Sequence, residues 1–327
     1  MPIYLDYNAT GLPRPQAAEV AQHWLHLPAN ASSVHSFGRA AKKQLEDSRK
    51  TIAEAISAWP NEIIFTASGS EANVTALRSF PERRLLISAI EHSSVLSHNG
   101  DKISVDVNGI IDLADLEKKL TGNPSSALVS VMLANNETGA IQPIAEVAAI
   151  CKRYGALLHC DAVQALGKIE VDFSLLGADM LTISAHKCGG MIGAAALVVK
   201  NNLNINPLLI GGGQELGRRA GTENIAAIAA FAAATIFCGQ VFVQNAFGQE
   251  AETTAKKAIV SAARAERNVE SEAGNFNLRL ERYPGDPRAG ETVQIALRVA
   301  EKVEGGFGAK EPVEIQGASV TASVTTA

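Results

Sequence analysis

Short, continuous apolar runs alternate along the chain with longer stretches whose apolar residues recur at helical spacing. The runs cover 62–66, 84–88, 126–133, 156–160, 180–184 and 194–199. They hold few polar positions, as expected of strands buried on both faces of a parallel sheet. Between them, 38–57, 71–78, 113–120, 144–154 and 222–237 predict helices, and Gly155 marks the stop of one of these. The alternation predicts an α/β fold with a mainly parallel sheet. No internal repeat interrupts it. From about residue 239 the pattern weakens, Pro and Gly gather near 283–290, and good helix formers over 250–272 predict helical structure there. At roughly 150 residues per domain, 327 residues suit about two domains. The division expected is a large domain at 1–238 and a separate segment at 239–327 whose fold the pattern leaves open.

Composition narrows the class. Hydrophobic residues make up 46% and charged residues 19%, which supports a large core and excludes a disordered or collagen-like chain. A net charge of −5 and a pI near 5.9 leave no electrostatic footprint for nucleic acid or an anionic membrane. No apolar run reaches the roughly 18 residues of a membrane span, and the first residues lack a signal-peptide layout. Cysteines stand at 151, 160, 188 and 238 with irregular spacing, which suits a reducing cytoplasm and not a disulfide framework. Histidine and methionine stop early too, at His186 and Met191. The reactive residue types are therefore concentrated in the first segment.

Polar clusters follow the expected strands. Ser184-Ala185-His186-Lys187-Cys188-Gly189-Gly190 comes directly after one, and ligands collect at such carboxyl ends in open α/β sheets. A partly desolvated lysine there, beside hydroxyl, imidazole and glycines, can form a Schiff base with an aldehyde cofactor. Asp161 opens a second strand end, placed to face a pyridinium nitrogen, and Gln164 three residues on suits a ring hydroxyl. Residues 66–73, Thr-Ala-Ser-Gly-Ser-Glu-Ala-Asn, pass from strand to helix and offer Gly69, Ser70 and the helix dipole to a phosphate. Asn135 and Asn136 close a fourth strand. His92, after Glu91, is placed to stack on a planar ring. Arg219-Ala220-Gly221-Thr222 leads into a further helix with a hydroxyl at its start. Taken singly, each has an ordinary reading: Lys187 as a loop lysine, Asp161 and Ser70 as helix caps, His92 as a structural histidine. Five such strand-end clusters in one chain are hard to explain by packing.

With Tyr4-Leu5-Asp6, Asn30-Ala31-Ser32-Ser33-Val34-His35 and Gly38-Arg39 preceding them, these clusters resemble the cysteine desulfurases. These enzymes belong to the class V aminotransferase-like group, and the branch that supplies sulfur for iron–sulfur clusters, including the nitrogen-fixation member, is the nearest. The likeness runs with few gaps from residue 3 to about 235. It rests on Asn-Asn-Glu-Thr-Gly-x-Ile-Gln-Pro-Ile from Asn135, Asp-Ala-x-Gln from Asp161 and Ser-Ala-His-Lys from Ser184 occurring together in order. It implies a fold type I pyridoxal-phosphate transferase with a seven-stranded type of sheet, pyridoxal 5′-phosphate as cofactor and L-cysteine as substrate. It also implies a homodimer that delivers sulfur to an iron–sulfur scaffold or other acceptor protein in the cytoplasm. Lys187 would carry the cofactor and Asp161 face the ring nitrogen, with His92 stacked on the ring. Gln164 and Asn136 would meet the ring hydroxyl region. Gly69, Ser70, Ser184 and His186 would bind the phosphate, and Thr222 would add a contact across the dimer.

Three departures stand out. The family usually has Asn-Ala-Ala-Thr where Tyr7-Asn8-Ala9-Thr10 stands, and often Pro-Lys where Met191-Ile192 stands. More consequential is the nucleophile, because the family's catalytic cysteine lies in a Ser/Gly/Ala-rich loop well beyond the lysine. Here no cysteine follows residue 238, and no arginine matches the one that grips the substrate carboxylate. Cys188, beside Lys187, is open to exposure, Cys160 is expected to be buried at a strand end and Cys151 lies on a predicted helix; each reads as a structural small hydrophobe. The chain therefore reads as a desulfurase lineage with an altered C-terminal segment. The alternatives are another pyridoxal-phosphate aminotransferase or lyase on the same scaffold, or an inactive cofactor-binding remnant.

Overall fold

Seven strands build the central sheet of the first unit, each formed by one of the apolar runs or by a short edge segment. The computed structural model describes residues 3–122, 126–236, 270–273, 276–282, 292–301 and 319–323. The chain divides into two units between Gly239 and Gln240. In chain order the first unit contains α1 (Pro15–Leu25), α2 (Ser36–Ala55), β1 (Ile63–Thr66), α3 (Gly69–Arg78), β2 (Arg84–Ser88), α4 (Ser93–Leu96) and β3 (Asp101–Ile103). Then come α5 (Leu113–Thr121), β4 (Ala127–Met132), α6 (Ile144–Arg153), β5 (Leu157–Asp161), α7 (Phe173–Leu176), β6 (Met180–Ser184) and β7 (Ala195–Val199). A helix over 225–236, α8, follows.

The sheet order is β1-β7-β6-β5-β4-β2-β3. Strands β3, β2, β4, β5 and β6 pair in parallel, and β7 runs antiparallel to both β6 and β1. The mainly parallel α/β sheet read from the pattern is thus the one observed. Every residue of β1, β4, β6 and β7 is buried, which is why these strands read as unbroken apolar runs. A polar rung crosses the middle of the sheet. His159 Nδ1 meets Ser130 Oγ and its Nε2 meets Thr182 Oγ1, both at 2.9 Å, with the ring fully buried.

Four elements of the first unit lie outside the predicted set, and two of them, α4 and α7, are helices of only four residues. Helix α1 starts on Pro15 and buries Ala17, Ala21 and Trp24, a stripe too rich in alanine to stand out. Strand β3 has three residues, two of them exposed at the sheet edge. The helix expected from Thr222 begins at 225, because Asn224 caps it: its Oδ1 accepts the Ala227 N–H at 3.1 Å. Gly155 does end α6, in the left-handed region at φ +65°.

A tight turn at 214–217 is fixed by a buried ion pair. Glu215 accepts from Arg49 at 2.7 and 2.8 Å and from the Phe65 N–H at 2.9 Å, while Glu215 and Leu216 both sit at positive φ, 49° and 58°.

The second unit contains a four-stranded antiparallel sheet in the order β11-β10-β9-β8, with β8 (Glu270–Ala273), β9 (Phe276–Arg282), β10 (Thr292–Glu301) and β11 (Ser319–Ser323). The helix expected over 250–272 is corrected at its end, where Glu270–Glu272 form part of β8 paired with β9; its earlier residues lie outside the described ones.

Candidate active site

Sheet direction gathers the polar clusters. Strands β2, β4, β5 and β6 are parallel, and β1 regains their direction through its two antiparallel steps across β7. Their carboxyl ends therefore share one edge, and residues 66–73, 91–92, 133–136, 161–164 and 184–187 line it.

Lys187 ends a 3-10 turn, Ala185–Lys187, directly after β6. Its amine donates to the Asn8 carbonyl. Burial lowers its pKa, while the charges of Asp6 and Asp161 oppose that shift. Beside it, Ser184 Oγ and His186 Nδ1 are 2.9 Å apart, and burial followed by the Lys187 charge lowers the His186 pKa. The N-terminus of α3 abuts the same strand ends. A Cβ built on Gly69 would lie 2.9 Å from Val163 Cγ2 and 3.7 Å from Ser184 Cβ, so only glycine lets the helix come this close. Ser68 caps the helix through Glu71 N–H at 3.1 Å, in place of Ser70. The Gly69 and Ser70 amides belong to a helix first turn, where anions bind. Thr222 is exposed and lines a cavity of about 220 Å³ with Thr66, Ala67 and Arg219.

Asp161 is 4% exposed. Its Oδ1 accepts the Val163 N–H at 2.9 Å and its Oδ2 accepts Asn73 Nδ2 at 2.7 Å. Burial raises its pKa; the two hydrogen bonds and the charges of His92 and Lys187 pull it back. Such donors hold a buried carboxyl in the form a protonated ring nitrogen needs. His92 Nδ1 accepts the Ser94 N–H at 3.1 Å, which places the proton of the neutral ring on Nε2. Gln164 Nε2 donates to the Asn8 carbonyl at 2.8 Å, and Asn8 Nδ2 donates to the Asn136 carbonyl at 3.0 Å. The paired amides separate in role. Asn135 is consumed by its own turn, accepting from Glu137, Thr138 and donating to the Ile90 carbonyl, whereas Asn136 stays half-buried at the edge.

Four residues of this site escaped the sequence argument. Asn8 straps the N-terminal segment across Lys187, Gln164 and Asn136; its signal was the departure at Tyr7-Asn8-Ala9-Thr10. Lys168 donates to Gln164 Oε1 and to Asn8 Oδ1 at 3.0 Å, with no pattern to announce it. Asn73 and Glu91 stood in quoted clusters without a role. Glu91 Oε1 accepts the Met132 N–H at 2.5 Å, and burial, then the Asp161 charge, pushes its carboxyl well above the usual range. Cys160 is buried, as expected, and so are Cys151 and Cys188, the latter despite its place in the exposed-looking turn beside Lys187. Burial pushes the Cys151 thiol up to about 12 and Cys160 up as well, so neither is a ready thiolate. Cys238 lies outside the described residues.

An open α/β sheet with a half-buried lysine, a buried carboxylate and a helix N-terminus on one edge is the framework of a pyridoxal-phosphate-dependent transferase, and its donor set fits that cofactor. The chain belongs to the aminotransferase class-V family, whose profile matches residues 3–273 and so extends past residue 235. The cofactor of this family is pyridoxal 5′-phosphate. A cysteine desulfurase from Trichormus azollae is 42% identical over 241 residues, covering 69% of this chain and 60% of the relative. The cysteine desulfurase IscS of Dictyoglomus turgidum is 41% identical over 242 residues, covering 69% and 61%. The solved NifS-like protein from Rickettsia africae superposes with a TM-score of 0.72 at 36% identity, over 85% of this chain and 81% of that one. The chain thus spans about 60% of the length of the curated relatives it matches.

Proposed function

We propose that the protein takes sulfur from L-cysteine and releases L-alanine, as a cysteine desulfurase. The observation that carries this reading is the placement of Lys187 and the buried Asp161 on the ends of adjacent strands, with the α3 N-terminus beside them. Gly69, Ser70, Ser184 and His186 hold the phosphate, joined by Thr222 from a second copy of the chain. Exposed Leu209, Ile210 and Leu216 near Thr222 support a homodimer. Asp161 would keep the ring nitrogen protonated, Gln164 and Asn136 would meet the ring hydroxyl side, and His92 would lie on the ring face. When bound, the cofactor supplies an electron sink for the pair released at the substrate α-carbon. Lys187 would hold the cofactor, and its Nζ, whose pKa burial lowers, would serve as the base for the substrate α-proton. His92, with the proton of its neutral ring on Nε2, would be the proton donor.

Sulfur transfer needs a thiolate that attacks the substrate Sγ. The C–S bond breaks, its electron pair stays on the carbon that becomes the alanine methyl, and the sulfur remains as a persulfide. The three described cysteines are buried, so the accepting thiol is not one of them. An acceptor protein of iron–sulfur cluster assembly, nitrogenase clusters included, fits the names of the relatives. The irregular cysteines support a cytoplasmic setting, and among the described residues no helix is long and apolar enough to cross a membrane.

The test incubates the purified protein with pyridoxal phosphate, L-cysteine and dithiothreitol. Expected are a visible absorbance band that Lys187→Ala abolishes, and alanine and sulfide in equal amounts. Pyruvate in place of alanine makes the protein a lyase, and amino-group transfer makes it an aminotransferase. Absence of a band overturns the cofactor reading.

A further inference from the structure

We propose that Asn73 is a positioning residue that couples Asp161, behind the cofactor ring, to His92, on its face, through Ser94. The inference rests on the reading above that these two side chains flank the ring.

Asn73 lies in α3, one turn after Gly69 and Ser70, and is 1% exposed. A carboxamide has two N–H donors, and both are committed. One goes to Asp161 Oδ2 at 2.7 Å, the other to Ser94 Oγ at 2.9 Å. Ser94 Oγ accepts from Asn73, and since His92 Nδ1, 2.8 Å away, is held as an acceptor by the Ser94 N–H, the Ser94 hydroxyl proton turns toward it. The Ser94 N–H donates to the same nitrogen at 3.1 Å. Donors thus run in one direction, from Asn73 through Ser94 to the imidazole, and fix the proton of the neutral ring on Nε2. The other end of the amide argues that these two bonds are why asparagine stands here. Asn73 Oδ1 is buried with no hydrogen-bond partner among the described residues. An unpaired buried acceptor destabilises a fold, and an apolar side chain of the same shape would avoid it. The orphan is tolerable where the two N–H groups do something an apolar residue cannot. A flipped amide would set Oδ1 against the Asp161 carboxylate, so the orientation is determined. One helix therefore carries the phosphate-binding amides and, a turn later, the group that sets both ring contacts.

The test uses Asn73→Ala, Ser94→Ala and the double variant, each reconstituted with pyridoxal phosphate. Two quantities are read: the cofactor dissociation constant and the pH midpoint of the bound cofactor's visible absorbance. Loss of a hydrogen bond to a charged group weakens binding about tenfold or more. Asp161 left without it becomes a weaker acid, the ring nitrogen is held less firmly protonated, and the midpoint is expected to rise by about one pH unit. Ser94→Ala should move the midpoint in the same direction by less, and the double variant should match Asn73→Ala alone. Asn73→Asp, which supplies no N–H, should not restore the wild-type midpoint. Thermal melting of the apoproteins reports folding, and if Asn73→Ala does not fold, the Ser94→Ala midpoint decides the matter. A wild-type band together with an unchanged midpoint in Asn73→Ala, or in Ser94→Ala where that variant decides, overturns the inference alone. A wild-type protein that forms no band overturns it together with the cofactor reading.

Discussion

Acidification from pH 7 to pH 5 charges His159 in the unfolded chain but not in the folded one. The ring is fully buried between Ser130 and Thr182, and burial lowers its pKa from 6.5 to about 3. A histidine whose folded pKa is depressed contributes its full share of stability above its unfolded pKa. That share declines as pH falls below 6.5 and stops declining near pH 3. Between 6.5 and 5 lie about 1.5 pH units, and at about 1.4 kcal/mol per unit the loss is about 2 kcal/mol. Glu91 and Asp161, with raised pKa values, act in the opposite sense because acid returns their protons more readily to the folded state. The informative quantity is therefore a difference. Urea unfolding of the wild type and of His159→Gln, which keeps hydrogen-bonding capacity and does not titrate, is measured at pH 7, 6 and 5. The wild type should lose about 2 kcal/mol more than the variant across that range. Parallel pH dependences in the two proteins would refute the reasoning. The rung ties together the three strands that end at Met132, Asp161 and Ser184, so its neutrality also holds the site edge in register.

Arg49→Met leaves Glu215 as an uncompensated buried charge and should cost about 3–5 kcal/mol in denaturant unfolding; a loss below 1 kcal/mol would show that the pair does not hold the 214–217 turn. Gly69→Val drives a side chain into Val163, so α3 must shift: the cofactor dissociation constant should rise about tenfold or more and the apoprotein should lose about 1–3 kcal/mol; unchanged affinity would remove α3 from the phosphate site. Burial favours the protonated form of Glu91, so Glu91→Gln, which supplies an uncharged amide of the same shape, should shift stability by less than about 1 kcal/mol in urea titrations; a larger loss would refute this.

The strands were legible because burial on both faces removes polar positions, and β4 or β7 can be read residue by residue as an apolar run. Helix α1 was not, since Ala17 and Ala21 differ too little from their surroundings to draw an apolar stripe. Strand β3 was missed for the opposite reason: an exposed three-residue edge segment has no pattern to show. At the site, the strand-end places of Lys187, Asp161, Ser184 and His186 were legible from the pattern, because each sits at or just after the end of an apolar run, while position alone left their roles open between a site and an ordinary loop or cap. Lys168 and Asn73 carry no such flag. One is a lysine in a loop and the other a polar residue early in a helix, and their partners lie 160 and 88 residues away.

Sequence by itself determined which segments could be strands, that they alternate with helices, and that five of them end in polar clusters. It also determined that no cysteine follows residue 238. Tertiary structure decided which ends meet. The two antiparallel steps across β7 turn β1 back into line with β6, and that alone brings the Gly69 turn beside Ser184. Packing likewise decided protonation: whether Glu91, Asp161 or His159 carries charge depends on how much water and how many donors surround it. Pattern along a chain records burial, because burial acts on each residue in turn. Contacts between distant residues and the field they create exist only once the sheet has closed around them.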